Sequence, residues 1–269
     1  MTSLKQFEIV KHTNGTFSVR DTETNHVMHS RIGAWDEAVR VYGESAPISD
    51  KLTKDKYAVL HDVGMGTAAN AIAAIEILKK TQSAGTLVIE SFETKPAGLA
   101  FAIQHTNEFP FLVPYQKNLK ELLEQKISVF SLGSLNIAWR LFEGDFFENL
   151  SSTQKPDYIF YDFYSPKAVP EFWSEGAFLK IKKHLGDHEC DLYTYSSATP
   201  VRLNLLLAGF FIGQGLHTEM KTETTVASTS YKKLKAPLGE KWRQKILISP
   251  AIESDELRER ALKHPQWKY

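Results

Sequence analysis

The sequence is short of cysteine: Cys190 is the one thiol in 269 residues. A lone cysteine makes neither an internal disulfide nor a cysteine-based zinc site, so nothing points to secretion and a reducing cytoplasm is the expected location. Long apolar runs are also missing. The longest, Leu203 to Leu216, has 14 residues and contains Asn204 and Gln214, whereas a membrane span needs roughly 20. The N-terminal MTSLKQFEIVKH has neither the apolar core nor the small-residue cleavage site of a signal peptide. Net charge is zero, with 32 basic residues against 32 acidic. Dedicated nucleic-acid binders are usually basic, so a polynucleotide partner needs a local patch here. No Gly/Ser-rich or Pro-rich linker, repeat or low-complexity tract interrupts the chain. Gly-x-Ser-x-Gly, the phosphate-binding Gly-Lys-Ser/Thr and His-Glu-x-x-His are all absent.

What remains is a chain that is 42% hydrophobic and 24% charged, which folds rather than staying disordered. Its length suits one large or two modest domains that bury roughly 75% of the unfolded chain's surface. In residues 1–56, FEIVKH and TFSVRD alternate around Thr13-Asn14-Gly15, the pattern of a β-hairpin. MHSRIGAWDEAVRVYGES then reads as a loop entering a short helix. From Tyr57 to about residue 230 the pattern becomes β, α, β, α. YAVLHDV, TLVIESFE, NIAWRLFEGD, DYIFYDFY and DLYTYSS read as strands, and FFIGQGLHTEM and KTETTVAST as an antiparallel pair. ANAIAAIEILKKTQ, PAGLAFAIQHTNEF, LKELLEQ, PEFWSEGAFLKIKKHL and TPVRLNLLLAG read as helices, with Pro170 in a first turn and Thr199 as a cap before Pro200. Residues 231–269 form a basic extension with a surface helix capped by Ser254. Near-continuous apolar strands alternating with helices predict a mostly parallel, Rossmann-like α/β sheet covered on both faces. Such sheets bind ligands at the carboxyl ends of their strands.

The first strand end, Asp62-Val63-Gly64-Met65-Gly66-Thr67-Ala68, fits Gly-x-Gly-x-x-Gly/Ala. Gly64 and Gly66 let the backbone turn tightly and approach a ligand. Asp62 stands where dinucleotide-binding turns carry an apolar residue. A carboxylate there repels a pyrophosphate and suits a cationic ligand. Glu93, ending the second strand, can accept both hydroxyls of a ribose. These features favour S-adenosylmethionine over NAD: it has a sulfonium, an amino-acid end, free ribose hydroxyls and no phosphate. The plainer alternative is that Asp62 caps the next helix and Glu93 is a surface acid. Asp145, in Gly144-Asp145-Phe146 after the third strand, is placed to accept from the adenine amino group, or is simply a turn.

The fourth strand ends in Asp162-Phe163-Tyr164-Ser165-Pro166. An acid at the tip of a buried strand, followed by aromatics and proline, resembles the Asp/Asn-Pro-Pro-Tyr turn of amine-directed methyltransferases. An aliphatic amine is protonated at neutral pH, and freeing its lone pair takes about 3 pKa units, roughly 4 kcal/mol. Asp162 can orient such an amine and take its proton. Phe163 and Tyr164 can sandwich a flat base, each stack contributing about 1–3 kcal/mol. The alternative is a strand-ending turn with core aromatics.

These segments resemble the methyltransferase domain of MnmC-type tRNA 5-methylaminomethyl-2-thiouridine enzymes and their stand-alone relatives. MHSRIGAWDEA, DVGMGTAAN, SFETKP, EGDFF, DFYSPKAVPEFW, TYSSATPVR and KTETTVAS carry the resemblance, over roughly 28–228. It implies a class I S-adenosylmethionine-dependent fold with one antiparallel strand, and methyl transfer to the exocyclic amine of a 5-aminomethyl wobble uridine in tRNA. It implies that Asp62, Gly64, Met65, Gly66, Asn70, Glu93 and Asp145 hold the cofactor, that Asp162 serves the amine, and that Phe163, Tyr164 and Lys221 face the substrate. Ala68 replaces the family's third glycine. Phe163, Val169 and Thr222 depart from its pattern on the acceptor side. The flavin oxidase domain of the bifunctional enzymes does not fit in 269 residues, so a separate enzyme is expected to supply the amine. A small-molecule amine, another RNA, or a non-catalytic binding module are the alternatives, with an NAD-dependent oxidoreductase behind them. Lys180, Lys182, Lys183, Lys232, Lys233, Lys235, Lys241, Arg243 and Lys245 are either a phosphate-binding surface or a solvated face. No metal site is expected: Gly186 breaks the spacing of His184 and His188.

Overall fold

A computed structural model describes residues 6–28, 33–217, 223–252 and 254–269. The expected hairpin is present as β1 (Phe7–Lys11) and β2 (Phe17–Asp21), joined by a third strand, β3 (His26–Met28), in a small antiparallel sheet. The turn closes because Asn14 Oδ1 accepts from Thr16 N at 3.2 Å and from its hydroxyl at 2.7 Å. The helix α1 (Ala34–Glu37) runs into a π-helical turn, Ala38–Gly43, and α2 (Ile48–Asp55) leads to the main sheet.

That sheet is built from β4 (Tyr57–Val63), α3 (Ala69–Lys80), β5 (Gly85–Glu93), α4 (Ala97–Ile103), α5 (Gln116–Gln125), β6 (Ile127–Leu132), β7 (Leu135–Glu143), α6 (Phe146–Asn149) and β8 (Tyr158–Tyr161). It continues with α7 (Glu175–Leu185), β9 (Asp191–Thr194), α8 (Thr199–Leu207), β10 (Phe211–Gly215) and β11 (Thr224–Ser228). The strand order is β10-β11-β9-β8-β4-β5-β7-β6. The strands β9, β8, β4, β5 and β7 are mutually parallel, and β11 lies beyond β9, antiparallel to it and to the outer strand β10. The edge strand β6, which the sequence reading does not contain, adds antiparallel to β7. The chain builds outward from β4 through β5 to β7, then returns to place β8 and β9 on the other side. The order therefore reverses between β4 and β8, where a ligand crevice opens in folds of this kind.

Two hydrophobic cores cover the two faces, one including Ile72, Ile75, Leu119 and Trp139, the other Phe178, Ile181, Leu203 and Leu206. The C-terminal segment belongs to the second core through Trp242, Ile246, Ile252 and Ala261. It comprises α9 (Glu240–Ile248) and α10 (Asp255–Leu262). Gln266 then blunts the sheet edge. Its Oε1 accepts from Ile212 N at 2.6 Å, and its Nε2 donates to the carbonyls of Ile212 and Leu238 at 3.0 and 2.7 Å.

Two helix starts differ from expectation. Pro170–Trp173 is a separate 3₁₀ turn; α7 begins only at Glu175, with the Ser174 hydroxyl accepting from Ala177 N. Thr199 is the first residue inside α8, and Ala198 is its N-cap. Among the described residues no helix is long and apolar enough to cross a membrane.

Candidate functional site

The tips of β4, β5, β7 and β8 are tied together by backbone. Asp162 N donates to Val63 O at 2.9 Å, Gly64 N to Phe92 O at 3.1 Å, and Gly144 N to Glu93 O at 3.0 Å. Gly64 has φ +82°, and a Cβ there would collide with the Asp162 carbonyl oxygen. The two strand ends that the sequence singled out, about a hundred residues apart, are in van der Waals contact. A cavity of about 450 Å³ lies above them, within the roughly 300–1,000 Å³ typical of small-ligand pockets.

Glu93 spans the glycine turn. Its Oε2 accepts from Gly66 N at 2.9 Å and its Oε1 from Lys95 N at 2.9 Å. Asp162 faces the same cavity, and its Oδ2 accepts from Asn70 Nδ2 of α3 at 2.8 Å. Asp62 lies beneath the turn, fully buried. Its Oδ2 accepts from the Ser91 hydroxyl at 2.7 Å, while Oδ1 has no hydrogen-bond partner. Burial pushes the Asp62 carboxyl up to about 7, against the Ser91 bond and aided by the charges of Asp162 and Glu93.

Other expected contacts are placed differently. The Met65 side chain does not reach the cavity; it is sealed in the first core while its N–H bonds Phe92 O. Asp145 does not line the cavity but caps α6, accepting from Phe147 N at 2.7 Å and Glu148 N at 3.1 Å; its neighbours Gly144 and Phe146 do line it. Phe163 and Tyr164 both line the cavity, each packed on different partners. Phe163 packs on Phe172 (centroids 4.4 Å) and Tyr161, near Phe146, whereas Tyr164 lies against His26 (4.6 Å). Lys221 lies outside the described residues. Ala68 adopts φ +63°, the left-handed region, so the family's glycine is replaced here at a backbone cost of about 1–2 kcal/mol.

The turn after Asp162 is held by side-chain donors. Tyr195 donates to Phe163 O at 3.0 Å, Trp173 Nε1 to Tyr164 O at 2.9 Å, and Tyr161 to Phe172 O. This explains a tryptophan at the end of the motif.

Several lining residues are not singled out as site residues by the sequence: His26, Val27 and Met28 of β3, Glu37, Phe172 and Tyr195, while Val169 stands there only as a departure from the family's pattern. Glu37 had a signal, since positions 34, 37, 38 and 41 share one helix face and the other three are apolar. Burial first, then the charges of Asp162 and Glu37, raises the phenols of Tyr42 and Tyr195. Both stay protonated and can only donate or accept as neutral groups.

Among the described lining residues there are three carboxylates and no lysine or arginine. A pyrophosphate would find no countercharge, whereas a cation would. The aromatic end, with Phe92, Phe146, Phe163 and Phe172, suits a flat ring. The residues therefore fit a ligand with a cationic centre, a ribose and a base.

A family model described as S-adenosyl-L-methionine-dependent methyltransferase matches residues 114–230. The fold matches the crystal structure of MnmC2 from Aquifex aeolicus with a TM-score of 0.69, 24% identity, and coverage of 95% of this chain and 82% of that one. The chain has the fold of an S-adenosyl-L-methionine-dependent methyltransferase, and its residues 114–230 match that family's model. The glycine turn and Glu93 lie upstream of the matched segment, and the zipped strand tips join them to it. The chain is also similar to an uncharacterized protein of Methanocaldococcus jannaschii, at 26% identity over 81% of this chain and 58% of that protein. The tRNA 5-methylaminomethyl-2-thiouridine biosynthesis bifunctional protein MnmC of Vibrio cholerae is 28% identical over 65% of this chain. This chain spans 28% of that protein, so the match concerns one part of it. Among the described residues no cluster of three or more His, Cys, Asp or Glu is placed to hold a metal.

Proposed function

We propose that this methyltransferase acts in the cytoplasm on the exocyclic amine of a 5-aminomethyl-uridine, with or without the 2-thio group, at the tRNA wobble position. The observation that carries this reading is the contact of the Gly64 turn with Asp162 at the floor of an acid-lined cavity. S-adenosylmethionine supplies a sulfonium methyl: the nitrogen–carbon bond forms as the carbon–sulfur bond breaks, and the electron pair leaves on sulfur. Glu93 would hold the ribose, the Gly64–Gly66 backbone the amino-acid end, and Gly144 to Phe146 the adenine. Asn70 fixes one oxygen of Asp162, so the carboxylate meets the acceptor in a set orientation. Asp162 accepts the ammonium proton and returns it to solvent.

Nucleoside mass spectrometry of tRNA from cells lacking the protein tests the reading. Unmethylated aminomethyl-uridine should accumulate, and an unchanged nucleoside profile would refute the tRNA assignment. In vitro, Asp162→Asn should lower kcat by about 10²–10⁴-fold while S-adenosylhomocysteine affinity changes less than about threefold. Full activity in that variant would remove Asp162 from the reaction.

A small-molecule amine is the second reading. It is favoured by the state of the supposed basic patch: Lys233 pairs with Glu189 and Arg243 with Glu240, while Lys182 is half-buried over Phe210. RNA affinity that is absent even at low salt supports it, and a steep salt dependence supports tRNA.

A further inference from the structure

The N-terminal sheet reaches the strand tip that carries Glu93. Asp21, the last residue of β2, is buried. Its carboxylate accepts from Lys95 Nζ at 2.5 Å, Glu23 N at 2.9 Å and Gln6 Nε2 at 3.3 Å. Burial alone would raise this carboxyl, but the Lys95 ammonium and the neutral donors outweigh it and hold it at about 2. The group is therefore ionised at any physiological pH.

Lys95 is gripped at both ends. Its ammonium lies 2.5 Å from Asp21 and 3.6 Å from the exposed Glu23, and its backbone N–H donates to Glu93 Oε1. With Gly66 N on Oε2, both oxygens of Glu93 are pinned by backbone from two separate segments. The Thr94 hydroxyl adds a long contact to Oε1 at 3.5 Å, and the carboxylate so held lines the cavity. The sheet is seated beside this turn by two further contacts. A Cβ on Gly98 of α4 would press into Met28, and Phe7 lies 6.1 Å from Phe101.

We infer that Asp21 is a positioning residue of the donor site: by holding Lys95 it sets the Glu93 carboxylate for the paired hydroxyls of a ribose. The N-terminal sheet is then part of the methyltransferase machinery without touching the donor. This rests on Glu93 being the ribose ligand, so the test separates the two claims.

The test titrates the full chain with S-adenosylhomocysteine and with its 2′-deoxy analogue. The wild type should prefer the former by about tenfold or more, as expected for a hydrogen bond to a charged group. Glu93→Gln should bring the ratio close to one. Asp21→Asn should shrink the ratio by about threefold or more, and so should Lys95→Met, which keeps the backbone N–H. Lys95 is one-third exposed, so its variant decides the matter should Asp21→Asn fail to fold. Gln266→Ala, at the far sheet edge, should lower Tm and leave the ratio intact. Full discrimination in Asp21→Asn and Lys95→Met, or an equal loss in Gln266→Ala, overturns the positioning role. A wild type without discrimination, or an unaffected Glu93→Gln, overturns the ribose reading instead.

Discussion

Replacing Gly64 by alanine probes whether the tips of β4 and β8 truly meet. The backbone there has φ +82°, and a left-handed conformation costs an alanine about 1–2 kcal/mol. The new Cβ would also overlap the Asp162 carbonyl oxygen and sit 3.0 Å from its carbon. That peptide cannot swing aside, because Asp162 N is bonded to Val63 O and Phe163 O to the Tyr195 hydroxyl. Overpacking of this kind costs about 1–3 kcal/mol, so the total is about 2–5 kcal/mol. For 269 residues the unfolding entropy is about 0.56 kcal/mol/K, which converts the loss to a fall in Tm of about 4–9 °C. Gly15→Ala is the matched control: φ is +84° and nothing lies within 4 Å. It should lose only the backbone part, about 2–4 °C. Thermal melts of both variants give the difference. Single-turnover methyl transfer gives a second readout, since displacing reacting groups by about 1 Å lowers the rate on the order of 10²-fold. If Gly64→Ala melts with Gly15→Ala and keeps its turnover, the strand tips are not in contact and the site as described fails.

Two further expectations follow from the donor side. The Asp62 carboxyl, held at about 7 against an ordinary 3.8, is still protonated in the free protein below that pH. A cationic ligand favours its ionised form, so S-adenosylmethionine affinity should rise with pH up to about 7, level off above it, and lose this dependence in Asp62→Asn; a flat wild-type profile refutes the coupling. By the same sign, the free protein should lose stability as pH climbs from about 4 to about 7, because the folded state keeps a proton that the unfolded chain releases. Asp145→Ser separates capping from binding. Serine caps a helix about as well as aspartate, so Tm should hold, while S-adenosylhomocysteine affinity falls about tenfold if the carboxylate also holds the adenine amine. Unchanged affinity leaves Asp145 as a cap alone.

The strand tips that frame the cavity, with Gly64, Gly66 and Glu93, were legible because buried parallel strands spell themselves out. YAVLHDV, TLVIESFE and DYIFYD are apolar runs that stop at acids, and the stops are the strand tips. Local grammar failed where tertiary contacts decide. The edge strand β6 follows α5 with no glycine or proline between them; Lys126 turns the corner at φ +63°. Pro170 opens a 3₁₀ turn instead of α7, since Ser174 supplies the better cap four residues on. Met65 sits in a binding loop by sequence, but the tight turn between Gly64 and Gly66 drives its side chain inward. The acceptor wall was the least visible part. His26 against Tyr164 joins segments 138 positions apart there, as Asp21 against Lys95 joins segments 74 apart on the donor side, and no local pattern announces such a meeting.

The way the 162–173 turn is held suits it to the role proposed for Asp162. A turn without a ladder must satisfy its backbone carbonyls elsewhere. Here Tyr195, Trp173 and Tyr161 donate to the carbonyls of Phe163, Tyr164 and Phe172, and each donor is itself mostly buried in the second core. Asn204 of α8 in turn donates to Trp173 O at 2.9 Å. On the proposed reading, the Asp162 carboxylate is thus fixed by packing that exists before any ligand arrives, so little reorganisation would be left for the moment of reaction. Glu93 is pinned by the same logic, with backbone donors in place of rings. Donor and acceptor carboxylates are therefore anchored to different supports, the N-terminal sheet for one and the second core for the other. The Gly64 contact is the joint between those two supports. Their spacing, on which in-line transfer depends, is set there by backbone packed against backbone.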